Sequence, residues 1–213
     1  MSASPAPAPA AMATVATTVA PPKVIVIGAS AGGIEALTAV ISRLPAEMAA
    51  AVLVVQHLRP GRPTGLAGYL DRLSALRVIM AADGMAVEAG RVAVAEPGRH
   101  LRIEDGRMRF DDGERVNYVR PAADVLFASA AEACGDAVIG VVLSGTGRDG
   151  AAGCAAIKAS GGMTMVQDPA AARAGAMPQA AIDRGAVDLV LPLEEIAAKL
   201  AALTAQTQEA SEP

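Results

Sequence analysis

Three residues whose side chains cooperate in nucleophilic catalysis follow apolar segments that predict buried strands. They are Ser30, His57 and Asp149. Because the carboxyl ends of parallel strands meet at one edge of a sheet, these side chains are expected to lie together. A hydroxyl nucleophile needs a neutral imidazole to accept its proton, and a carboxylate can orient that imidazole. The set therefore predicts a serine hydrolase.

Ser30 is the centre of the segment Gly28-Ala29-Ser30-Ala31-Gly32, which joins a predicted strand to a predicted helix. Glycines on both sides of such a serine permit a strained turn that exposes its oxygen. The alternative is a glycine-rich turn that only packs closely or binds a phosphate, as in dinucleotide-binding folds. The GxGxxG order is absent, and a histidine follows the second strand instead of an acidic ribose ligand. We therefore favour the nucleophile.

His57 ends an apolar strand, and this position favours a general base over a satisfied core histidine. The other histidine, His100, lies in a predicted hairpin region, where we expect a surface or wall role. Asp149 could orient the His57 ring, cap the helix that begins at Gly150, or do both. The order Ser, His, Asp differs from that of α/β-hydrolases and of both protease arrangements.

The loop that contains Asp149 also offers backbone amides near a helix N-terminus, the kind of donor that stabilises a developing oxyanion. The three amides belong to Gly145, Thr146 and Gly147. We expect this loop to complete the site.

Strand and helix patterns alternate along most of the chain, which predicts an α/β fold with a doubly wound, mostly parallel sheet flanked by helices. Residues 77–110 instead contain short segments (91–95, 100–104, 107–110) separated by turns, which predicts antiparallel hairpins at one edge. The other predicted strands are 23–27, 51–55, 137–143, 163–167 and 187–191, and the predicted helices are 33–44, 64–76, 121–133, 150–159, 178–183 and 193–203.

The 213 residues suit one domain with tails. Residues 1–22 are rich in Ala and Pro and carry no charged side chain, which predicts a disordered tail. Residues 23–203 form the predicted catalytic domain, and the polar residues 204–213 are expected to fray. A charged start with an apolar stretch is absent, and no run is long enough to cross a bilayer, so we expect a cytoplasmic protein without membrane insertion.

Composition excludes several classes of function. A formal charge of -4 and a pI near 5.2 argue against a nucleic-acid partner. Cys134 and Cys154 lie in predicted helices, are spaced for neither a disulfide framework nor a CxxC site, and are expected to be small buried residues. With only two histidines in the chain, no zinc site is predicted, and the hydrolytic chemistry requires no cofactor.

Short motifs in a fixed order make the chain similar to the chemotaxis protein-glutamate methylesterase family, the CheB-type C-terminal catalytic domain. The resemblance extends from about residue 23 to residue 200. The motifs that carry it are IGASAGG (27–33), VVQH (54–57), PGRHL (97–101), RPAADVLF (120–127), LSGTGRDGA (143–151), QDP (167–169) and MP (177–178).

The resemblance implies a Ser-His-Asp triad that hydrolyses glutamyl methyl esters on chemoreceptors and releases methanol, and some relatives also deamidate glutamine. The family's nucleophile matches Ser30, its base His57 and its carboxylate Asp149. Its oxyanion amide matches Thr146, where the family usually has Met. The implied partner is a methylated chemoreceptor or a related sensor protein.

Two departures from the family pattern bear on function. Ala31 stands where the family commonly has Thr, and the N-terminal receiver domain of many relatives is not found here, so we expect a standalone catalytic domain. The alternatives are an esterase acting on a non-chemotaxis sensor or another acyl group, and a non-catalytic module that binds a receptor or a nucleotide. The loops 58–63 and 117–120 could contact substrate or be solvated surface.

Overall fold

The computed structural model describes residues 23–59 and 65–209 of the chain. The strands are β1 Lys23–Ala29, β2 Ala50–Gln56, β3 Arg77–Met80, β4 Arg91–Val94, β5 His100–Glu104, β6 Arg107–Asp111, β7 Val138–Val142, β8 Met163–Gln167 and β9 Leu189–Leu191. The helices are α1 Gly33–Ile41, α2 Leu66–Asp71, α3 Ala123–Cys134, α4 Ala151–Ala159, α5 Ala176–Asp183 and α6 Leu193–Glu209, with a 3-10 turn at Gly135–Ala137.

Seven strands form one sheet in the order β3-β4-β2-β1-β7-β8-β9, and neighbouring strands run parallel. β1 lies in the middle between β2 and β7, so the chain winds outward in one direction and later in the other. This confirms the predicted doubly wound α/β fold. The reversal places a crevice beyond the carboxyl end of β1, where such sheets bind their ligands.

The prediction of antiparallel hairpins for residues 77–110 is wrong in part. β4 pairs in parallel with β2 and with β3, and β3 itself was not predicted. Of the strands in the described residues, only β5 and β6 pair in antiparallel fashion. They form a separate two-stranded sheet, in which the Ile103 amide donates to Ser129 Oγ of α3 at 3.0 Å. Short edge strands carry the same residue pattern with either pairing direction, so the pattern does not determine it.

Aliphatic side chains fill both faces of the large sheet. One apolar layer lies beneath α1, α2 and α6, and the other lies beneath α3, α4, α5 and the hairpin. Gly28 permits a close approach on the second face, because a Cβ there would lie 2.6 Å from Ala123 Cβ. The missing side chain brings the start of α3 against the end of β1, which positions the site described below.

Several local predictions differ from the structure. Leu73, predicted on the buried face of a longer helix, follows the end of α2 and is 44% exposed. Helix α6 continues to Glu209, beyond residue 203. Residues 1–22 and 210–213 of the predicted tails lie outside the described residues, as do residues 60–64, which include part of loop 58–63.

The two cysteines differ in their environments. Cys154 is fully buried, and this burial raises the pKa of its thiol to about 12, whereas Cys134 is only half-buried. The prediction of small buried cysteines therefore holds for Cys154. Among the helices that the structure describes, none has the length and apolar character needed to cross a membrane.

Candidate active site

Ser30 lies directly after β1, where hydrogen bonds hold its backbone on both sides. Its amide donates to Ser144 O at 2.9 Å, and its carbonyl accepts from the Gly33 amide at 2.8 Å. Gly32 takes the left-handed conformation with φ 74° that the turn into α1 needs, whereas Ser30 is not among the described residues with positive φ. The predicted strain therefore falls on the glycine and not on the serine.

Two buried polar side chains, which the sequence analysis did not single out, brace this turn. Gln56 Nε2 donates to Ser30 O at 2.9 Å and to His57 O at 3.1 Å, so one amide ties both segments together. Ser144 Oγ donates to Ala31 O at 2.7 Å. A polar residue ending an all-apolar strand, as Gln56 does, is the pattern that could have indicated this role.

His57 contacts one of the two other predicted residues and shares a cleft with the other. Its Nε2 lies 2.8 Å from Asp149 Oδ2, which leaves Nδ1 as the other ring nitrogen. Ser30, His57 and Thr146 line one open cleft of about 1180 Å³. No hydrogen bond joins the Ser30 hydroxyl to the His57 ring in the described part of the chain, although both residues line the same cleft.

Asp149 is only 2% exposed and accepts four hydrogen bonds. Its Oδ2 accepts from His57 and from the Ala123 amide at 2.6 Å, and its Oδ1 accepts from the Asp124 amide at 3.1 Å and from Asn117 Nδ2 at 3.0 Å. Burial opposes ionisation, but the bonds from His57 and from the two amides outweigh it and lower the pKa of Asp149. The side chain is therefore held as a carboxylate.

The Asp149 carboxylate caps a helix, but not the one the sequence indicated. The amides of Ala123 and Asp124 belong to the first turn of α3, while Asp149 precedes α4. In return, Asp124 Oδ1 accepts from the Gly150 amide at 2.9 Å and the Gly153 amide at 2.7 Å at the start of α4. Asp149, which precedes α4, thus caps the N-terminus of α3, and Asp124, which lies in α3, caps the N-terminus of α4. The dipole of each helix favours the negative charge at its N-terminus.

Asn117 joins the buried carboxylate of Asp149 to the partly buried carboxylate of Asp124. Its Nδ2 donates to Asp124 Oδ2 at 2.7 Å and to Asp149 Oδ1 at 3.0 Å. Burial and the nearby charge of Asp149 raise the pKa of Asp124. Asn117 has φ 52°, a left-handed conformation that asparagine tolerates better than most residues. The sequence analysis treated Asn117 only as part of a loop, because the carboxylates it joins are distant along the chain.

The three predicted oxyanion amides are not equivalent. The Gly145 amide is already used, since it donates to Ala174 O at 2.8 Å. The amides of Thr146 and Gly147 donate no hydrogen bond within residues 23–59 and 65–209, and Thr146 lines the cleft with Ser30. The Ala31 amide is free in the same sense and also borders the cleft. Thr146 and Ala31 are therefore residues that border the cleft and whose amides have no partner in the described structure.

A family model described as CheB methylesterase matches residues 25–200. The chain belongs to the CheB methylesterase family. The crystal structure of the Thermotoga maritima CheB methylesterase catalytic domain superposes with a TM-score of 0.80 at 37% identity, covering 86% of this chain and 99% of that one.

Curated members of the CheB methylesterase family are also similar in sequence. Protein-glutamate methylesterase/protein-glutamine glutaminase 2 of Anaeromyxobacter dehalogenans is 46% identical, with 85% of this chain and 53% of the relative covered. A relative from Leptospira interrogans, named putative protein-glutamate methylesterase/protein-glutamine glutaminase, is 42% identical, with 81% of this chain and 90% of the relative covered. The chain thus spans about half the length of the Anaeromyxobacter relative.

Within this member of the CheB methylesterase family, His100 is a buried structural residue. It is 1% exposed, which contradicts a surface role and leaves a wall role. Its Nδ1 accepts from the Ala122 amide at 3.1 Å and its Nε2 lies 2.9 Å from Glu114 O. Both ring nitrogens are used, so His100 cannot replace His57 as a base.

No group of three or more His, Cys, Asp or Glu side chains able to hold a metal occurs among the residues with described positions.

Proposed function

We propose that this chain is a protein-glutamate methylesterase that hydrolyses glutamyl methyl esters on chemoreceptors by a Ser30, His57 and Asp149 triad. The supporting observation is the 2.8 Å contact between His57 Nε2 and the buried Asp149 carboxylate, at a cleft that His57 shares with Ser30. This arrangement occurs in a member of the CheB methylesterase family. The relatives' names state the same activity.

The reaction proceeds through an acyl-enzyme. His57 Nδ1 accepts the Ser30 proton while Oγ attacks the ester carbonyl carbon, and the carbonyl electrons move onto oxygen. Asp149 stabilises the imidazolium through Nε2. When the tetrahedral intermediate collapses, the bond to the methoxy oxygen breaks, and His57 protonates this oxygen to give methanol. Water then attacks the acyl-enzyme with His57 as base, which regenerates Ser30 and leaves glutamate.

Backbone amides stabilise the negative oxygen of the intermediate. Thr146 is the donor we propose from the family pattern, and Ala31 is a second donor at the residue after the nucleophile. Both amides border the cleft without another partner in the described structure. Because the donors are main-chain groups, Thr in place of Met leaves the hydrogen bond intact.

Glutamine deamidation is the second candidate activity, favoured by the glutaminase in the relatives' names. The same acyl-enzyme forms, with ammonia leaving in place of methanol.

We propose residues 23–203 as the catalytic domain, a methylated chemoreceptor in the cytoplasm as partner, and no cofactor or metal in the reaction.

The assay that tests this function measures methanol and ammonia released from a methyl-esterified receptor of the same cell. We expect methanol release by the wild-type chain and labelling of Ser30 by an active-site serine probe. The control is the same receptor without methyl esters, which releases no methanol. Absence of both methanol and labelling, with stabilisation by a nucleotide in a thermal melt, would establish the non-catalytic module instead.

Replacing Asn117 by glycine is expected to slow turnover about tenfold without changing KM for a small ester. Glycine adopts φ 52° without strain and keeps the turn. It lacks the side-chain amide that donates to Asp149 and Asp124, so the hydrogen bonds that link these two carboxylates are lost. The measurement is kcat against pH. We expect a lower plateau over the whole pH range, because Asp149 loses one of the donors that hold it against His57.

The matched control for this variant is Asp105→Gly. Asp105 has φ 50° in the exposed turn between β5 and β6, so the same backbone change occurs away from the cleft. An unchanged kcat in Asn117→Gly would refute the positioning role of Asn117.

A further inference from the structure

A second, smaller cavity adjoins the active-site cleft. This side pocket has a volume of about 270 Å³ and shares His57, Leu58 and Arg59 with the cleft that contains Ser30. Its other walls are Gly98, Arg115, Tyr118, Val119, Arg120 and Pro121. When the ester of a substrate segment reaches Ser30, the residues next to that ester therefore lie beside this pocket.

The side pocket is positively charged, although the chain carries a net charge of -4. Arg59, Arg115 and Arg120 line it, and none of its lining residues is acidic. Arg115 is exposed and forms no ion pair with an acidic side chain in the described parts of the chain. Asp112, which is itself paired with Arg99, lies close enough to interact with the charge of Arg120, but the three guanidinium groups outnumber this carboxylate and create a local field that attracts an anion.

Arg120 adds a donor that lacks a partner. Its Nη1 donates to Asp112 O at 2.7 Å and to Gly113 O at 2.6 Å, which holds the guanidinium in place. Its Nε is buried, and no acceptor for it lies among the described residues. Buried donors are nearly always satisfied, so Arg120 keeps unused hydrogen-bonding capacity beside the pocket that its side chain lines.

A strained turn presents an aromatic side chain at the same place. Val116 and Val119 bond to each other through their backbones, with Asn117 and Tyr118 both in the left-handed conformation between them. Positive φ is unfavourable for a bulky residue such as Tyr118. The Tyr118 side chain is also 91% exposed, which is unusual for an aromatic residue. Tyrosine is enriched among the residues that anchor protein interfaces.

We propose that the side pocket binds a carboxylate side chain of the protein substrate, at a residue separate from the one that is hydrolysed. This inference rests on the proposed function and specifies its substrate as an acidic polypeptide segment. Arg115 and Arg120 bind the carboxylate, and Tyr118 packs against the backbone beside it. The pocket thereby selects esters in acidic surroundings.

The test measures binding, so it does not depend on turnover. Two peptides carry the same glutamyl methyl ester and differ only in flanking glutamates or flanking glutamines. Their affinities are measured by fluorescence anisotropy for the Ser30→Ala chain, alone and with Arg115→Glu or Arg184→Glu added. Arg184 is an exposed residue at the end of α5 outside both cavities, so the two additions change the net charge equally.

We expect the Ser30→Ala chain to bind the glutamate peptide about three- to tenfold more tightly than the glutamine peptide. Arg115→Glu is expected to abolish this preference and Arg184→Glu to keep it. Equal affinities for the two peptides, a preference that survives Arg115→Glu, or equal losses in both variants would overturn the proposal. Arg115→Gln serves if Arg115→Glu does not fold. Failure of the esterase activity itself is separate, since it appears as absent methanol release by the wild-type chain.

Discussion

Ser30→Ala is expected to release no methanol above background from a methyl-esterified receptor, a loss of roughly 10⁴-fold or more. The substitution removes the hydroxyl oxygen that forms the acyl bond in the proposed mechanism. The measurement is methanol release under single-turnover conditions, followed by mass spectrometry for an acyl adduct.

The fold of this variant is expected to remain intact. The structural hydrogen bonds at position 30 come from the backbone amide and carbonyl, which alanine retains. Its free energy of unfolding should therefore lie within about 0.5 kcal/mol of the wild-type value. Ser42→Ala, at an exposed serine that ends α1, is the matched control and keeps full activity. Methanol release by Ser30→Ala near the wild-type rate would refute the proposal that Ser30 is the nucleophile of the triad.

Asp149→Asn is expected to lower kcat on the order of 10³- to 10⁴-fold. The carboxylate holds His57 Nε2–H and stabilises the imidazolium, and a neutral amide does neither equally well. An asparagine NH₂ group would also face either His57 and the Ala123 amide or the Asp124 amide and Asn117. Since donors would then oppose donors, we also expect a stability loss of about 1–3 kcal/mol.

The control that separates these effects is Asp124→Asn. Asp124 is the carboxylate that caps α4. It accepts hydrogen bonds from two backbone amides and from Asn117, and it forms no hydrogen bond with His57 among the described residues. We expect a stability loss with only a modest reduction of kcat. If both variants lost stability and activity in equal proportion, Asp149 would be a helix cap and not a partner of the base.

The pH dependence of stability gives a second test of the Asp149 charge. Because the pKa of Asp149 is lowered by folding, its contribution is fully present above the unfolded pKa of about 3.9 and is lost as pH falls through the folded value. The stability difference between wild type and Asp149→Asn should therefore narrow as the pH falls from about 4 towards the lower folded pKa, measured by urea unfolding. A difference independent of pH in this range would contradict the lowered pKa.

Much of the site could be predicted because its residues follow strands. Ser30, His57 and Asp149 each come after a run of aliphatic residues, and strand ends in a parallel sheet converge whatever the loop details are. Asn117 and Gln56 could not be assigned in this way. Their roles consist of hydrogen bonds to groups that only the folded chain brings near, such as Asp124, Asp149 and the carbonyl of Ser30.

The direction of pairing at the sheet edge was not predictable for a related reason. β4 reads as a short alternating segment, and its parallel neighbours β2 and β3 come from different parts of the chain. The helix that Asp149 caps was also misassigned, because local sequence favours its own helix α4 while the fold presents the start of α3. The absent side chain of Gly28 permits that approach.

The sequence by itself determined the α/β alternation, the strand-end positions of Ser30 and His57, and the glycine needed at position 32. These depend on residue type and periodicity, which are local properties. Tertiary structure alone decided which amides remain free for an oxyanion, which carboxylate each helix receives, and that Arg59, Arg115 and Arg120 surround one pocket. Those facts depend on distances between segments far apart in the chain, and these distances arise from packing across both faces of the sheet.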